Sequence, residues 1–262
     1  MKRYIKYLEV CLLAICMGVL FNQCEKDRLV IEPPQKPEGD GICGTVKDYD
    51  GNEYDVVRLG EQEWMARNLR TTHYANGTPI PQGTSASGTT AYRYCPDNSN
   101  DKVSDYGYLY NWKAVMGNST SSSSNPSHVQ GICPNGWHVP SDAEWTELED
   151  YVYGCDFYVQ LSLNVAKALA SSEGWEFNYS VYTVGCARND NNSTGFSALP
   201  AGCYPVSYPN FGSFAYFWSA TEGWSGEGYG GTWFRNLDYR NDYVDRDVCS
   251  GDYGFSVRCV KD

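Results

Sequence analysis

The sequence predicts an α+β fold, a twisted antiparallel sheet with a few flanking helices and long loops. Short runs enriched in β-branched and aromatic residues recur along the chain, with Gly, Asn and Asp between them. Strong helix signals are few. The connecting stretches are polar and extended, among them the serine-rich GNSTSSSSNPS at 117–127, which reads as a flexible insertion.

Taken in chain order, residues 1–24 read as an export leader. Lys2, Arg3 and Lys6 precede the apolar run VCLLAICMGVLF (10–21), which is too short to span a bilayer as a stable helix. The run ends at Cys24, followed by the charges of Glu25-Lys26-Asp27-Arg28. That arrangement resembles a bacterial lipoprotein signal, in which Cys24 becomes the acylated first residue, although Phe21-Asn22-Gln23 departs from the usual small-residue box. The implied product is an outer-membrane or cell-surface lipoprotein held to the membrane by its lipid. Residues 25–40, rich in charge, proline and glycine, read as a flexible tether, and 41–262 as one domain.

Within that domain, GTVKDYDGNEYDVVRLGEQEWM reads as strand, Asp50-Gly51 turn, strand, and a third extended segment after Gly60. FSALPAGCY, YFWSATE, GTWFRNLDY and YGFSVRCV carry strand texture. The clearest helix begins at Ser141, an N-cap with Glu144 three residues on, a capping box; Trp145, Leu148 and Val152 then define one buried face. Weaker helices are expected at 108–116 and 164–172. Trp137 and Trp145 are assigned to the core. His138, one of three histidines, shares no metal-ligand spacing with His73 or His128, so the 131–148 stretch reads as scaffolding.

Loss of the leader, with Lys2, Arg3, Lys6 and Glu9, takes the net charge from −12 to −14. A surface so acidic repels phosphate backbones, which argues against a nucleic-acid partner. Eight cysteines lie beyond Cys24: Cys43, Cys95, Cys133, Cys155, Cys186, Cys203, Cys249 and Cys259. In an exported chain they read as disulfide candidates, and none shows C-x-x-C spacing.

Aromatic residues make up 15% of the chain and are dense from Tyr216 to Tyr243. Strand alternation assigns Trp218 and Phe234 to the core. Trp224 and Tyr229, in the glycine-rich EGWSGEGYGG, are instead expected at the surface, and with Asp238, Asn241 and Asp242 they form the candidate ligand set. Exposed rings would stack on sugar faces while carboxylates and amides bond hydroxyls. Asp97, Asn98, Asn100 and Asp101 form an oxygen-rich loop, the one candidate for calcium; no other cofactor is expected.

Six stretches carry a family resemblance: GNEYDVVRLGEQEWMARNL (51–69), YGYLYNWKAVM (106–116), GICPNGWHVPSDAEWTEL (131–148), GFSALPAG (195–202), YFWSATE (216–222) and YGFSVRCVKD (253–262). Together, in this order, they resemble the Fibrobacter succinogenes major paralogous domain of exported proteins and lipoproteins in Fibrobacter and Bacteroidetes. The order is also similar to the formylglycine-generating-enzyme branch of the C-type-lectin-like fold, which implies that fold here. Cys133 and Cys259 lie inside the strongest family motifs, and on that ground they are expected to pair. Cys203 with Cys249 is a second expectation from neighbouring strands, and Cys155 with Cys186 and Cys43 with Cys95 follow by elimination.

No activity comes with the resemblance. Enzymes of the formylglycine branch need a close late cysteine pair, whereas Cys249 and Cys259 are ten positions apart; the iron-dependent relatives need a histidine cluster. No G-x-S-x-G, H-E-x-x-H or P-loop occurs. The expectation is a non-catalytic, lipid-anchored binding or adhesion domain, for which a glycan is one candidate ligand. The alternative is a structural or fimbria-associated subunit with protein partners.

Overall fold

Hydrogen-bonded strands begin at Gly41. Strand β1 (Gly41–Lys47) turns through Asp50-Gly51 into β2 (Glu53–Leu59), and past Gly60 the chain continues as β3 (Gln62–Met65), all antiparallel. Both turn glycines have positive φ, 81° and 61°, which explains glycine at each. The computed structural model describes residues 35–162, 164–205, 210–224, 228 and 230–262. The leader and the lipidation candidate Cys24 therefore lie outside the described residues. Asp40, at the expected end of the tether, is firmly held: its carboxylate accepts hydrogen bonds from Tyr151 Oη (2.8 Å), Tyr158 Oη (2.6 Å) and the Gly60 amide (2.9 Å).

The remaining strands are β4 (Arg93–Tyr94), β5 (Leu109–Asn111), β6 (Trp137–His138), β7 (Phe214–Trp224), β8 (Gly230–Asp238), β9 (Asp245–Cys249), β10 (Gly254–Phe255) and β11 (Val260–Lys261). They complete three sheets, ordered β1-β2-β3-β11-β6, β10-β5-β4 and β7-β8-β9. Every strand pairing within them is antiparallel. The helices are α1 (Val103–Tyr106), α2 (Trp112–Met116), α3 (Asp142–Gly154), α4 (Asp156–Ser162) and α5 (Val165–Leu169). The architecture is α+β, built from open sheets.

Helix α3 starts as expected, with Ser141 Oγ accepting from the Glu144 amide and Glu144 Oε2 accepting from the Ser141 amide. Trp145, Leu148 and Val152 are buried on its inner face. Two expectations need correction. The helix foreseen at 108–116 is split, because Leu109–Asn111 pairs between β4 and β10, and Asn111 Oδ1 then caps α2 through the Ala114 amide. FSALPAGCY is no regular strand. It makes isolated bridges only, and left-handed Ser197 (φ 56°) and Pro200 interrupt any ladder.

Strand β7 is covered on both faces, so its inward residues divide between two cores. Trp218 and Ala220 join Tyr110, Phe234 and Phe255 in one; Ala215 and Phe217 join Trp64, Trp145 and Phe196 in the other. Trp64 and Trp145 meet with ring centroids 4.7 Å apart.

Cys133 and Cys259 form a disulfide, Cα–Cα 5.9 Å, tying the approach to α3 to the chain's last strand. The other three expected pairs are not formed: Cys43, Cys95, Cys155, Cys186, Cys203 and Cys249 are thiols. The surroundings of the members of each pair differ. Cys43 is exposed on β1 and donates to Val56 O, whereas Cys95 is buried and donates to Asn100 Oδ1. Cys155 caps the end of α3, while the Cys186 carbonyl receives Lys167 Nζ. Cys203 and Cys249 pack into one core, yet Asn210 Nδ2 donates to Cys203 Sγ at 3.1 Å.

Candidate functional site

At the far end of the β7–β8 hairpin, Glu222 pairs with Thr232, Gly223 with Gly231 and Trp224 with Gly230. The glycines are there because neighbours approach too closely for a side chain. A Cβ on Gly223 would lie 2.0 Å from Trp233 Nε1, and one on Gly231 would lie 2.5 Å from the Cys249 carbonyl oxygen. On the adjoining turn, a Cβ on Gly251 would sit 3.1 Å from Trp112 Cβ. This crowding leaves bare peptide backbone as the floor of an open cavity of about 650 Å³.

Two indoles flank that floor. Trp224 lies across its cross-strand partner, with ring atoms 3.7 Å from where a Gly230 Cβ would be, yet it is 72% exposed. One ring face is turned toward the side-chain-free Gly230 and the ring is largely open to solvent, so it offers a stacking platform. Trp112 is partly buried, its Nε1 donating to Ser219 O at 2.9 Å and its amide to Gly251 O. The exposed Glu222 carboxylate and Ser250 add polar groups to the wall.

The serine-rich stretch 117–127 is stitched to this hairpin instead of standing free of the fold. Ser121 Oγ accepts from the Glu222 amide (2.8 Å), the Ser122 amide donates to Ala220 O, and Thr221 Oγ1 donates to Ser122 O. It therefore fixes the strand segment that carries Glu222.

The sequence-predicted ligand set does not come together. Trp224 is in the cleft; Tyr229 lies outside the described residues. Asp238, Asn241 and Asp242 are at or beyond the opposite end of β8. Eight steps along a strand, at about 3.3 Å each, put Asp238 about 26 Å from Gly230. Asp238 is also buried and committed, its two oxygens taken by the Arg240 guanidinium and the Arg240 amide. Asn241 sits in the following turn, its amide bonded to Asp238 O, and the exposed Asp242 lines a separate cavity. Closeness in sequence misled here because an extended strand separates its ends.

Residues absent from the sequence-level set, Trp112, Glu222, Ser250 and Gly251, complete the cleft. Nothing in the 249–254 segment or in Asn111-Trp112 of the 106–116 motif indicates that the two meet. In the calcium candidate, Asp97 and Asn98 adopt left-handed φ of 52°, and Asn100 Oδ1 accepts the Cys95 thiol. Among the described residues no group of three or more His, Cys, Asp or Glu side chains is placed to hold a metal ion.

The polar residues at the entrance to α3 are occupied internally. His138 is buried, with Nε2 2.6 Å from Glu144 Oε1 and Nδ1 2.8 Å from Asp262 Oδ1. Glu144 Oε2 meanwhile accepts from the Ser127 and Ser141 amides. Burial opposes the imidazolium, but hydrogen bonds and charge from Glu144, with Asp262 adding, outweigh it and raise the histidine pKa.

The Fibrobacter succinogenes major domain model matches residues 57–261. The chain belongs to that family. Its match runs from within β2 to the last strand, so in this Fibrobacter succinogenes major domain every cleft residue lies inside the family region. No curated protein and no solved structure matches the chain.

Proposed function

We propose that this chain is a non-catalytic, extracytoplasmic binding domain whose Trp224 cleft takes a carbohydrate. The observation that carries the reading is the exposed Trp224 ring, one face turned toward the side-chain-free Gly230, beside the Glu222 carboxylate. A pyranose offers an apolar C–H face to such a ring and hydroxyls to carboxylate, serine and peptide groups around it. Each stack or hydrogen bond supplies on the order of 1 kcal/mol, so one site binds weakly and many copies on a surface bind by avidity. Membrane attachment through Cys24 would supply that multivalency. Detergent partitioning of the wild type, abolished in Cys24→Ala, tests it. Among the described residues no helix is long and apolar enough to cross a membrane. The C-type-lectin-like reading of the fold belongs to the same proposal, supported by the order of a capped helix before late aromatic strands.

Binding to a glycan array, with and without calcium, tests the function. Trp224→Ala and Glu222→Gln are expected to lose signal on the glycans that wild type binds, with the melting temperature nearly unchanged because both side chains are exposed. Equal binding by wild type and Trp224→Ala would remove the cleft from consideration.

A further inference from the structure

At the other end of β8 lies a second concave surface of opposite construction. A cavity of about 380 Å³ opens between the last turn of α3, the α4–α5 region and the turn between β8 and β9. Tyr153 and Tyr243 flank it, 76% and 53% exposed, and valines from α4, α5 and the β8–β9 turn contribute apolar floor. Its charged groups are Glu149, Asp150 and Asp242; among the described residues no lysine or arginine lines it.

The end of the adjoining helix adds to the acidic character of this lining. Helix α3 is thirteen residues long and has no basic residue in its last turn, so the negative end of its dipole meets the cavity uncompensated. Glu149 hydrogen-bonds Arg235, yet burial outweighs that arginine and raises its pKa, with Asp142 and Asp150 adding smaller contributions.

The apolar character continues beyond the cavity. Asn164, on its wall, donates to the Tyr182 carbonyl, and the Val184 amide donates to Asn241 O, joining the 176–186 loop to the same end of the molecule. That loop exposes Phe177, Tyr179, Val181 and Tyr182, with Tyr179 at 90%. Water-exposed aromatic and aliphatic groups grouped in this way mark a contact surface.

We propose that this end of the domain docks a basic, apolar polypeptide segment of a partner protein. A lysine or arginine side chain enters the cavity between Tyr153 and Tyr243, and adjoining apolar residues cover the 177–182 loop. Charge complementarity selects the occupant. Tyrosine rings and carboxylates attract a cation together, and the alkyl stem of a lysine or arginine suits the valine floor. A second copy of this chain, with its net charge of −12, brings the wrong sign.

The test uses the full chain in nonionic detergent over immobilised twelve-residue peptides composed of Lys/Val, Lys/Ser or Glu/Val. The Lys/Val peptide should capture the wild type at least tenfold more strongly than either other peptide. Capture should fall at least tenfold in Tyr153→Ala/Tyr243→Ala and in Asp150→Asn/Asp242→Asn, with melting temperatures unchanged, and stay as in wild type for Trp224→Ala. That last variant separates this surface from the carbohydrate cleft. Equal capture by Lys/Ser would reduce the effect to bulk charge and overturn the proposal. Failure of Lys/Val to capture, or undiminished capture by both double variants, would also overturn it. So would a Tyr243-dependent dimer in sedimentation, which would assign the face to a second copy.

Discussion

His138 joins the entrance of α3 to the chain's final residue, and its titration should be visible in stability. Its folded pKa is raised above the unfolded value of about 6.5. The contribution is therefore complete below that value and is lost as pH rises through the folded pKa. Melting temperature measured across pH 5.5 to 9 should include a decline on the alkaline side that His138→Gln removes. Arg258 is a different case of a buried cation. It is fully buried without a carboxylate, donating instead to Asn68 Oδ1 and to the carbonyls of Met65, Phe196 and Ser197, with Phe196 4.6 Å beneath its guanidinium. Burial, with Arg67 adding, lowers its pKa to about 9, so it stays charged at neutral pH. Arg258→Met would strand those acceptors at roughly 1–3 kcal/mol each, and urea unfolding should show a loss of about 3 kcal/mol or more.

Helix α3 is fastened to the third sheet by two carboxylates, Asp142 and Glu149, both bonded to Arg235. Asp142 accepts from Arg235 of β8 at 2.7 Å and from both Nε and Nη2 of Arg246 of β9, and Arg246 in turn lies 3.6 Å above the Trp233 ring. Burial would raise the Asp142 pKa, but Arg246 and Arg235 together hold it below the usual carboxylate range. This contribution is present above the unfolded pKa of about 3.9 and is lost as pH falls through the folded one. Asp142→Asn leaves the buried Arg235 with Glu149 as its one carboxylate, beside Thr146 Oγ1 and the residue-142 carbonyl, and should cost about 2–3 kcal/mol in urea unfolding at pH 7. On the hairpin itself, Gly223→Ala drives a methyl into the Trp233 indole. It should destabilise by about 1–3 kcal/mol and shift tryptophan fluorescence, a change that Trp224→Ala should not reproduce in stability.

Across the whole molecule, one covalent link closes a sequence separation of 126 residues. Chain entropy gives such a loop about 4–5 kcal/mol, so Cys133→Ser/Cys259→Ser should lower stability by up to that amount. Alkylation of the unfolded, unreduced domain followed by mass measurement should find Cys133 and Cys259 protected, with Cys43, Cys95, Cys155, Cys186, Cys203 and Cys249 labelled. The two proposed contact surfaces sit at opposite ends of β8, so a ligand at one leaves the other open.

Local physics made part of this legible from the residues. The Ser141/Glu144 box and the face of Trp145, Leu148 and Val152 depend on spacings within a few turns, and an isolated sequence carries them fully. The Asp50-Gly51 hairpin and the outward position of Trp224 are local in the same sense, one set by turn chemistry and the other by surrounding glycines. The disulfide was reached through family motifs, since pairing across 126 residues leaves no local mark. What only the tertiary structure decided is which distant segments meet. Trp112 and Gly251 come beside Glu222 and Trp224, while Asp238 and Asp242, close to them in sequence, are carried away because an extended strand advances about 3.3 Å per residue. Asn111 could have continued a helix by composition, and it became a strand end and a cap because β4 and β10 were there to pair with its segment.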